Sequence, residues 1–410
     1  MPVFSIPLSG LTASSTALSA IANNLANLNT VGYKQTRVTF RDLFYQTVGS
    51  TGAGNPLQVG AGAAVGSLDT IFTGGNIETS GVPTDVAVTG DGFFVVQKDG
   101  ANQYTRAGNF AVNSDGWLTT EDGFTVMGYP SVNGTIDTTA GLAALQLGKG
   151  QINPPTATSY LQMKANLDSG AAVGDTYSTS VTVYDSLGAT HVLTYKFDKT
   201  AANNWDYSIT LPGADTGAAT PTTLKTGTLT FDGDGKLTAP AADVTGITIT
   251  GLANGAANLT LDWHVYEANG NPMLTQMAAP SDAASSYQDG FSSGALLDFS
   301  IGPDGTIEGS FTNGVKTLGQ IALASFQNVQ GLQRLGRNNF GATLASGQAS
   351  IGSPGNGGRG TLSGGALELS NVDIANEFAK LIIAQRAFQA NARTITAFDE
   401  ITQETINLKR

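Results

Sequence analysis

The sequence predicts a mainly β protein with an α-helix at each terminus, and three observations carry that expectation. Residues 1–33 hold no Asp, Glu, Lys, Arg or His, and Leu11, Leu18, Ile21, Leu25 and Leu28 fall on one helical face, with Ser14 filling the stripe. At the other end Ile374, Phe378, Leu381, Phe388, Ala392 and Ile395 recur in alternating steps of four and three, with Gln385 completing the pattern. Apolar residues about every 3.5 positions form a seam that must pack against another helix. Between the two seams the apolar period shortens to two and Asp-Gly pairs recur, as in short strands joined by tight turns.

The first helix is expected from about Ser5, with Pro7 tolerated in a first turn whose amides lack partners anyway, to Asn27–Asn29, ahead of Gly32. Its run of amides, Asn23, Asn24, Asn27 and Asn29, argues against deep burial in an apolar core and for a helix–helix or subunit interface. Residues 46–66 and 341–365 read as Gly/Ser/Ala-rich connectors. Residues 84–97 read as two strands across the Asp91-Gly92 turn, and further Asp-Gly turns are expected at 99, 115, 122, 232, 234, 289 and 304. Pro154-Pro155 and Pro280 bracket a Thr-rich segment with strand-like runs at Thr179–Tyr184, His191–Phe197 and Ala257–Tyr266, which looks inserted into a second β domain. Strands resume at Leu296–Ile301, Thr306–Phe311 and Leu318–Phe326. Ser370 and Asp373 have capping-box spacing, and Leu369 with Ile374 has that of a hydrophobic staple. The last helix then runs without Gly or Pro for about 40 residues, roughly 60 Å, long enough to need an extended packing partner.

The domains expected are therefore a coiled-coil-like helical one from residues 1–70 and 359–410, a discontinuous β domain from 71–146 and 285–358, and an inserted outer β domain at 147–284. A chain of 410 residues is too long for one ordinary core.

Composition excludes several classes of function. A net charge of −12 argues against a general nucleic-acid binder. The absence of Cys excludes disulfides and thiolate metal sites. No apolar run is long enough to span a membrane, and the N-terminus lacks the basic region of a cleaved signal peptide. Charged residues make up only 13%, so the surface must rely on Ser, Thr, Asn and Gln.

Sites for chemistry are sparse. Gly355-Asn356-Gly357-Gly358-Arg359-Gly360 satisfies a dinucleotide-binding pattern literally, but Gly-Ser-Pro precedes it and Thr-Leu-Ser-Gly-Gly follows, where a strand and a helix are required. Asp232-Gly-Asp234-Gly opens like a calcium loop, yet its twelfth position is Asp243, beyond Pro240, so a hairpin turn is the better reading. His191 and His264, the two histidines, have no metal-ligand spacing around them, and no nucleophile elbow occurs. No catalytic residue, metal ligand or cofactor site is assigned, and the chain is read as a non-enzyme.

The residues then become recognisable. Ala22-Asn23-Asn24-Leu25-Ala26-Asn27-Leu28-Asn29-Thr30-Val31-Gly32-Tyr33-Lys34 resembles the N-terminal signature of the bacterial flagellar rod and hook proteins. Glu368 to Asp373, continuing to Gln385-Arg386-Ala387-Phe388-Gln389-Ala390-Asn391, is similar to their C-terminal signature. Asp85 to Phe94 and Tyr104 to Phe110 add internal matches. On these residues the chain is identified as a member of that axial family, with Asn23, Asn24, Asn27, Asn29, Thr30, Gly32, Tyr33, Asn371, Arg386 and Asn391 as its signature positions.

The resemblance implies a subunit of a helical homopolymer, exported without a cleaved signal through the flagellar export apparatus to the extracellular flagellum. The large insert favours the curved, hollow, flexible tube that joins motor to filament and transmits torque. A distal-rod or hook-associated protein is the alternative, and a secreted glycan-binding or degrading β protein a remoter one. The partners implied are a second copy of the chain and the distal rod, hook cap, hook–filament junction and hook-length-control proteins, with no nucleic acid and no membrane insertion. The seam residues are then subunit-assembly candidates. The Gly-rich stretches near 49–66, 141–150 and 341–365 become joints between rigid domains.

Overall fold

The computed structural model describes residues 5–132, 134–147 and 152–408, so part of the stretch expected as a joint at 141–150 lies outside the described residues. The chain divides into two compact units, Met1–Lys149 with Phe299–Gly309 and Lys316–Arg410, and Gly150–Asp298 with Ser310–Val315.

In the first unit, the N-terminal helix spans Ser5–Ala26 and turns Ala13, Ala17, Ile21 and Asn24 inward. The C-terminal helix spans Ile374–Asn407. Its N-cap is Asp373, whose carboxylate accepts from the Asn376 N–H at 3.1 Å, so the helix starts at Asp373 rather than through a capping box from Ser370. The Ser370 hydroxyl instead accepts from the Val372 N–H at 3.4 Å. The two helices run antiparallel: Asn24 meets Glu377, Ala17 and Ile21 pack on Ala384, and Gly10 lies against Asn391. A Cβ on Gly10 would come within 2.8 Å of the Asn391 amide, so glycine permits the close crossing there.

The expected connector at 46–66 is instead part of a long hairpin. Thr36–Asp42 pairs with Ala63–Thr70, and Tyr45–Ser50 pairs with Pro56–Gly60. The Ser9 hydroxyl accepts from the Ala63 N–H at 3.2 Å, tying the hairpin to the first helix. Likewise 341–365 is not a loose connector. Ser350–Gly352 pairs with Leu323–Ser325, and Thr361–Gly364 pairs with Val86–Thr89. The last pairing also corrects the hairpin expected over 84–97. Val86–Thr89 takes a partner far along the chain, while Phe93–Lys98 pairs with Ala101–Thr105 through the Asp99-Gly100 turn.

The run Phe93-Phe94-Val95-Val96 does not alternate because both of its faces are covered. Phe94 and Val96 join a core with Phe110, Leu118, Ile307 and Leu323. Phe93 and Val95 join another with Tyr104, Met127 and Phe340.

The second unit contains two five-stranded sheets. Thr176–Tyr184, Thr190–Ala201, Asn204–Leu211 and Thr222–Phe231 form an antiparallel meander. The other sheet is built on Tyr160–Asn166, with Leu259–His264 parallel on one side and Asp282–Gln288 antiparallel on the other. That last strand lies beyond Pro280 and runs across the boundary expected at 284. The strict alternation, as in Trp205, Tyr207, Ile209 and Leu211, sends one face of each strand into a common core centred on Trp263. Tyr195 and Tyr207 meet the Trp263 ring edge-on at 5.1 and 5.3 Å between centroids.

Both sheets and their shared core lie within residues 156–291, and the Thr156–Phe291 bridge closes the base. The segment 156–291 expressed alone is therefore expected to give a single cooperative, β-rich melting transition. A non-cooperative melt, or a spectrum without β structure, would show that the core depends on the flanking chain.

Candidate functional site

The N-terminal helix ends where its chain turns back. Asn27 N–H reaches the Asn23 and Asn24 carbonyls, both at 3.2 Å, and the Thr30 hydroxyl donates to the Asn27 side chain at 3.1 Å. Gly32 then takes φ +67°, with its Cα against the Arg106–Ala107 peptide; a Cβ would lie 2.6 Å from it. This reversal delivers Tyr33 and Lys34 under the helix end.

What they meet is a buried polar junction of four segments. Lys34, with a fully buried side chain, donates to Glu368 Oε1 at 2.6 Å and to the Thr73 carbonyl at 2.9 Å. Arg106 reaches Glu368 Oε2 at 3.4 Å and the Gly90 carbonyl at 2.8 Å. The Gly75 N–H adds a bond to Glu368 Oε1 at 2.8 Å. One carboxylate thus faces two cations in a site closed to water. Burial pulls the Lys34 pKa below its ordinary value despite the attraction of Glu368, and does the same to Arg106.

The signature amides bind the helices to this junction. Asn24 is 1% exposed, buried not in an apolar core but among polar partners where the two helices meet. Every arm of its side chain is engaged: Nδ2 donates to the Thr36 carbonyl at 2.8 Å and to Glu377 at 3.1 Å, and Oδ1 accepts from the Thr36 N–H at 2.9 Å. The Tyr33 hydroxyl donates toward Asn23 at 2.9 Å and Asn24 at 3.2 Å. Asn371 accepts from the Gln35 N–H at 2.8 Å and donates to the Ile71 carbonyl at 2.8 Å. Asn29 and Arg386 are exposed, and Asn391 bonds within its own helix to the Ala387 carbonyl at 3.0 Å.

The seam residues divide. Ile21 is buried and Leu18, Leu25 and Leu381 pack around it with Ala384. Leu11, Leu28, Phe388, Ala392 and Ile395 are half-buried. Ile374, Phe378 and Gln385 do not lie on the face toward the N-terminal helix; that face carries Glu377, Ala384 and Asn391 in their place. Ile374 and Phe378 are instead 49% and 51% exposed, and Ile382 extends their row.

Sequence reasoning quoted Lys34, Arg106 and Glu368 but assigned them no role, and it missed Glu377 and Gly10. A signal existed. Lys34 is the first charge after a charge-free stretch, and Glu368 is the lone acid between Glu308 and Asp373.

In the second unit, His191 lies between two carboxylates, with Nε2 3.0 Å from Asp185 and Nδ1 3.2 Å from Asp215. Burial raises the Asp185 pKa, but the hydrogen bonds from Asn254, His191 and the Ala189 and Leu187 amides outweigh it and hold the carboxyl at about 2. A depressed carboxyl pKa adds stability above the unfolded value and loses it as pH falls through the folded one. The unit is expected to lose urea resistance between about pH 4 and pH 2. Asp185→Asn should flatten that loss, and equal pH slopes for both proteins would contradict the assignment. The turn carboxylate of Asp232 accepts from the Asp234 and Lys236 N–H groups, and that of Asp243 from the Val265 N–H, which commits the first and last acids of the calcium-loop pattern to local structure.

Four family models match in chain order. They are the flagella basal body rod protein at residues 6–34, the flagellar hook protein FlgE/F/G D1 domain at 87–166, the flagellar basal body protein FlaE D2 domain at 156–291, and the flagellar basal body rod FlgEFG protein C-terminal at 363–408. The flagellar hook protein FlgE of Borreliella burgdorferi is 34% identical over 445 aligned residues, covering 98% of each chain. That of Salmonella typhimurium is 35% identical over 422, covering 99% of this chain and all of the relative. The flagellar basal-body rod protein FlgG of Bacillus subtilis is 28% identical over 98% of this chain. The first and last of the matched segments are the ones that the Asn24, Lys34, Asn371 and Glu368 contacts knit together, and with hook proteins aligned along nearly its whole length this chain belongs to the flagellar hook protein family.

Proposed function

We propose that this chain is the structural subunit of a flagellar hook, polymerising through its terminal helices into a curved, hollow, flexible tube that transmits torque from motor to filament. The observation that carries assembly is the apolar row Ile374, Phe378 and Ile382 on the C-terminal helix, each about half exposed and unspent within the chain. Exposed rows of this kind mark surfaces that a partner covers, and a head-to-tail contact that does not close gives a filament. Among the outward strand positions of the insert, Ser180, Thr194 and Thr210 lie in register and are short and uncharged, which suits sliding between neighbours, while the charges beside them, Lys196 and Asp198, pair with each other. The distal rod, hook cap, hook–filament junction and length-control proteins are its partners, and the flagellar export apparatus delivers it outside the cell without a cleaved signal. It performs no catalysis.

A second reading, a distal-rod subunit, is favoured by the likeness to the rod protein over nearly the whole chain. Electron microscopy of the purified chain polymerised in vitro separates the two. Curved tubes support the hook, straight tubes the rod, and absence of any polymer overturns both.

A further inference from the structure

We propose that the last turns of the C-terminal helix of one copy seat in a groove on a second copy, an asymmetric tail-to-groove contact that propagates along the polymer. This rests on the assembly read above and names the two surfaces that meet.

The groove is a cavity of about 400 Å³ in the first unit. Ala17 and Ile21 of the N-terminal helix, Ile383 and Ala387 of the C-terminal helix, and Val38 and Phe40 of the hairpin line it. Phe40 and Ile383 stand 52% and 68% exposed, so its apolar wall is open to solvent. Its two basic groups are Arg37 and Lys380, with side chains 62% and 52% exposed. Lys380 holds Glu377 at 2.6 Å and Arg37 lies 3.9 Å from Asp69, and both retain free donors toward solvent.

The tail is the part of the C-terminal helix that outruns its partner. The antiparallel pairing sets Gly10 against Asn391, which puts Ser5 level with about residue 396. Beyond that level Ile401, Ile406 and Leu408 are 57%, 64% and 88% exposed. Ile401, Thr405 and Leu408 share one helical face, and Glu400 and Glu404 form the neighbouring row. Over 399–408, ahead of the closing Lys409-Arg410, the charges are Asp399, Glu400 and Glu404 and no base.

An acidic, apolar helix end thus faces a requirement for cover, and a base-rimmed apolar groove offers it. The tail cannot reach the groove of its own chain. Both lie on one continuous helix, with Ala387 and Ile401 about 20 Å apart along its axis. The occupant is therefore a second copy. Because tail and groove are different surfaces, each subunit uses one and offers the other, which is the heterologous arrangement an open polymer needs.

The chain has no cysteine, so introduced thiols are its only ones. Full-length Ile383→Cys, Ile401→Cys and the double variant are each polymerised, pelleted, oxidised and run on a non-reducing gel. The double variant is expected to give a ladder of dimers, trimers and higher multimers. A copolymer of the two single variants should give dimers alone, and either single variant alone none. Pelleted polymer of the double variant without a ladder, or a ladder from a single variant, overturns the contact while leaving the hook reading intact. Failure of the unsubstituted chain to pellet overturns the hook reading itself. If cysteine variants do not assemble, charge reversal decides. Lys380→Glu and Glu404→Lys are each expected to raise the critical concentration about tenfold, and together to restore it; no restoration overturns the pairing.

Discussion

Glu368→Ala is expected to destabilise the first unit by about 3–5 kcal/mol while leaving the second unit's transition in place. The reason is a charge count. Lys34, Arg106 and Glu368 together carry one surplus positive charge in a buried site, with Glu368 1% exposed. Removing the carboxylate strands two cations, which have no water to turn to, and it also frees the Gly75 N–H that Glu368 accepts. Lys34→Met makes the opposite change. It leaves a neutral Arg106–Glu368 pair and fills the space with apolar atoms, so its cost should be well under that of Glu368→Ala even though both break the 2.6 Å bond. Calorimetry of the monomer measures this as two transitions, of which one shifts. Equal losses for the two variants would mean that the bond, and not the charge balance, is what matters. Because Glu368 also accepts the Gly32 N–H through its carbonyl at 2.7 Å, the residue ties the strand before the last helix to the reversal after the first. Glu368→Ala keeps that backbone bond but removes the side-chain contacts beside it, and should increase hydrogen exchange at both helix bases.

The terminal helices were legible because their signal is local. A charge-free run and a 3.5-residue apolar repeat need no knowledge of the rest of the chain, and the observed Ser5–Ala26 and Ile374–Asn407 follow them closely. The strands of the insert were legible for the same reason: Thr190–Ala201 extends the expected His191–Phe197 by one residue at its start and four at its end. Pairing was not legible. Val86–Thr89 was read with its sequence neighbour because an Asp-Gly turn lay between them, yet its partner is Thr361–Gly364, and no local property of either segment names the other. Gly-rich composition misled at 46–66, where glycine and proline punctuate a paired hairpin instead of loosening a connector. The polar junction was hidden by separation along the chain. Lys34 and Glu368 stand 334 positions apart, and a charge in sequence does not reveal whether its counter-charge will be buried with it. Asn24 makes the same point. The rule that buried amides need partners held, and the partners came from the Thr36 backbone and Glu377, which composition does not display.

Phe378→Asp is expected to abolish the polymer while leaving the monomer as stable as before. Phe378 is half exposed on the side of the C-terminal helix away from its partner, so the monomer gains little from the ring. Asp costs only about 0.5 kcal/mol of helix propensity, partly offset by its position near the helix N-terminus. In the assembled row with Ile374 and Ile382 the account reverses. Loss of the buried ring forfeits roughly 1.5–3 kcal/mol, and an unpaired carboxylate closed off from water adds a further cost of several kcal/mol. Each 1.4 kcal/mol is a factor of ten in the association constant, so a total near 4 kcal/mol raises the critical concentration about a thousandfold. The penalty recurs at every subunit. Phe388→Asp is the instructive comparison: Phe388 is half-buried, one turn beyond the buried Ala384, so its variant should lower the monomer's melting temperature as well as block assembly. Gln385→Ala, at an exposed position, should do neither to any marked degree. Sedimentation of the polymer and circular dichroism melts of the monomer read the two effects separately. Normal tubes from Phe378→Asp would remove the outward row from the assembly interface. A monomer melting several degrees below the parent would show that the ring is spent within the chain, and that the apolar row is not free for a neighbour.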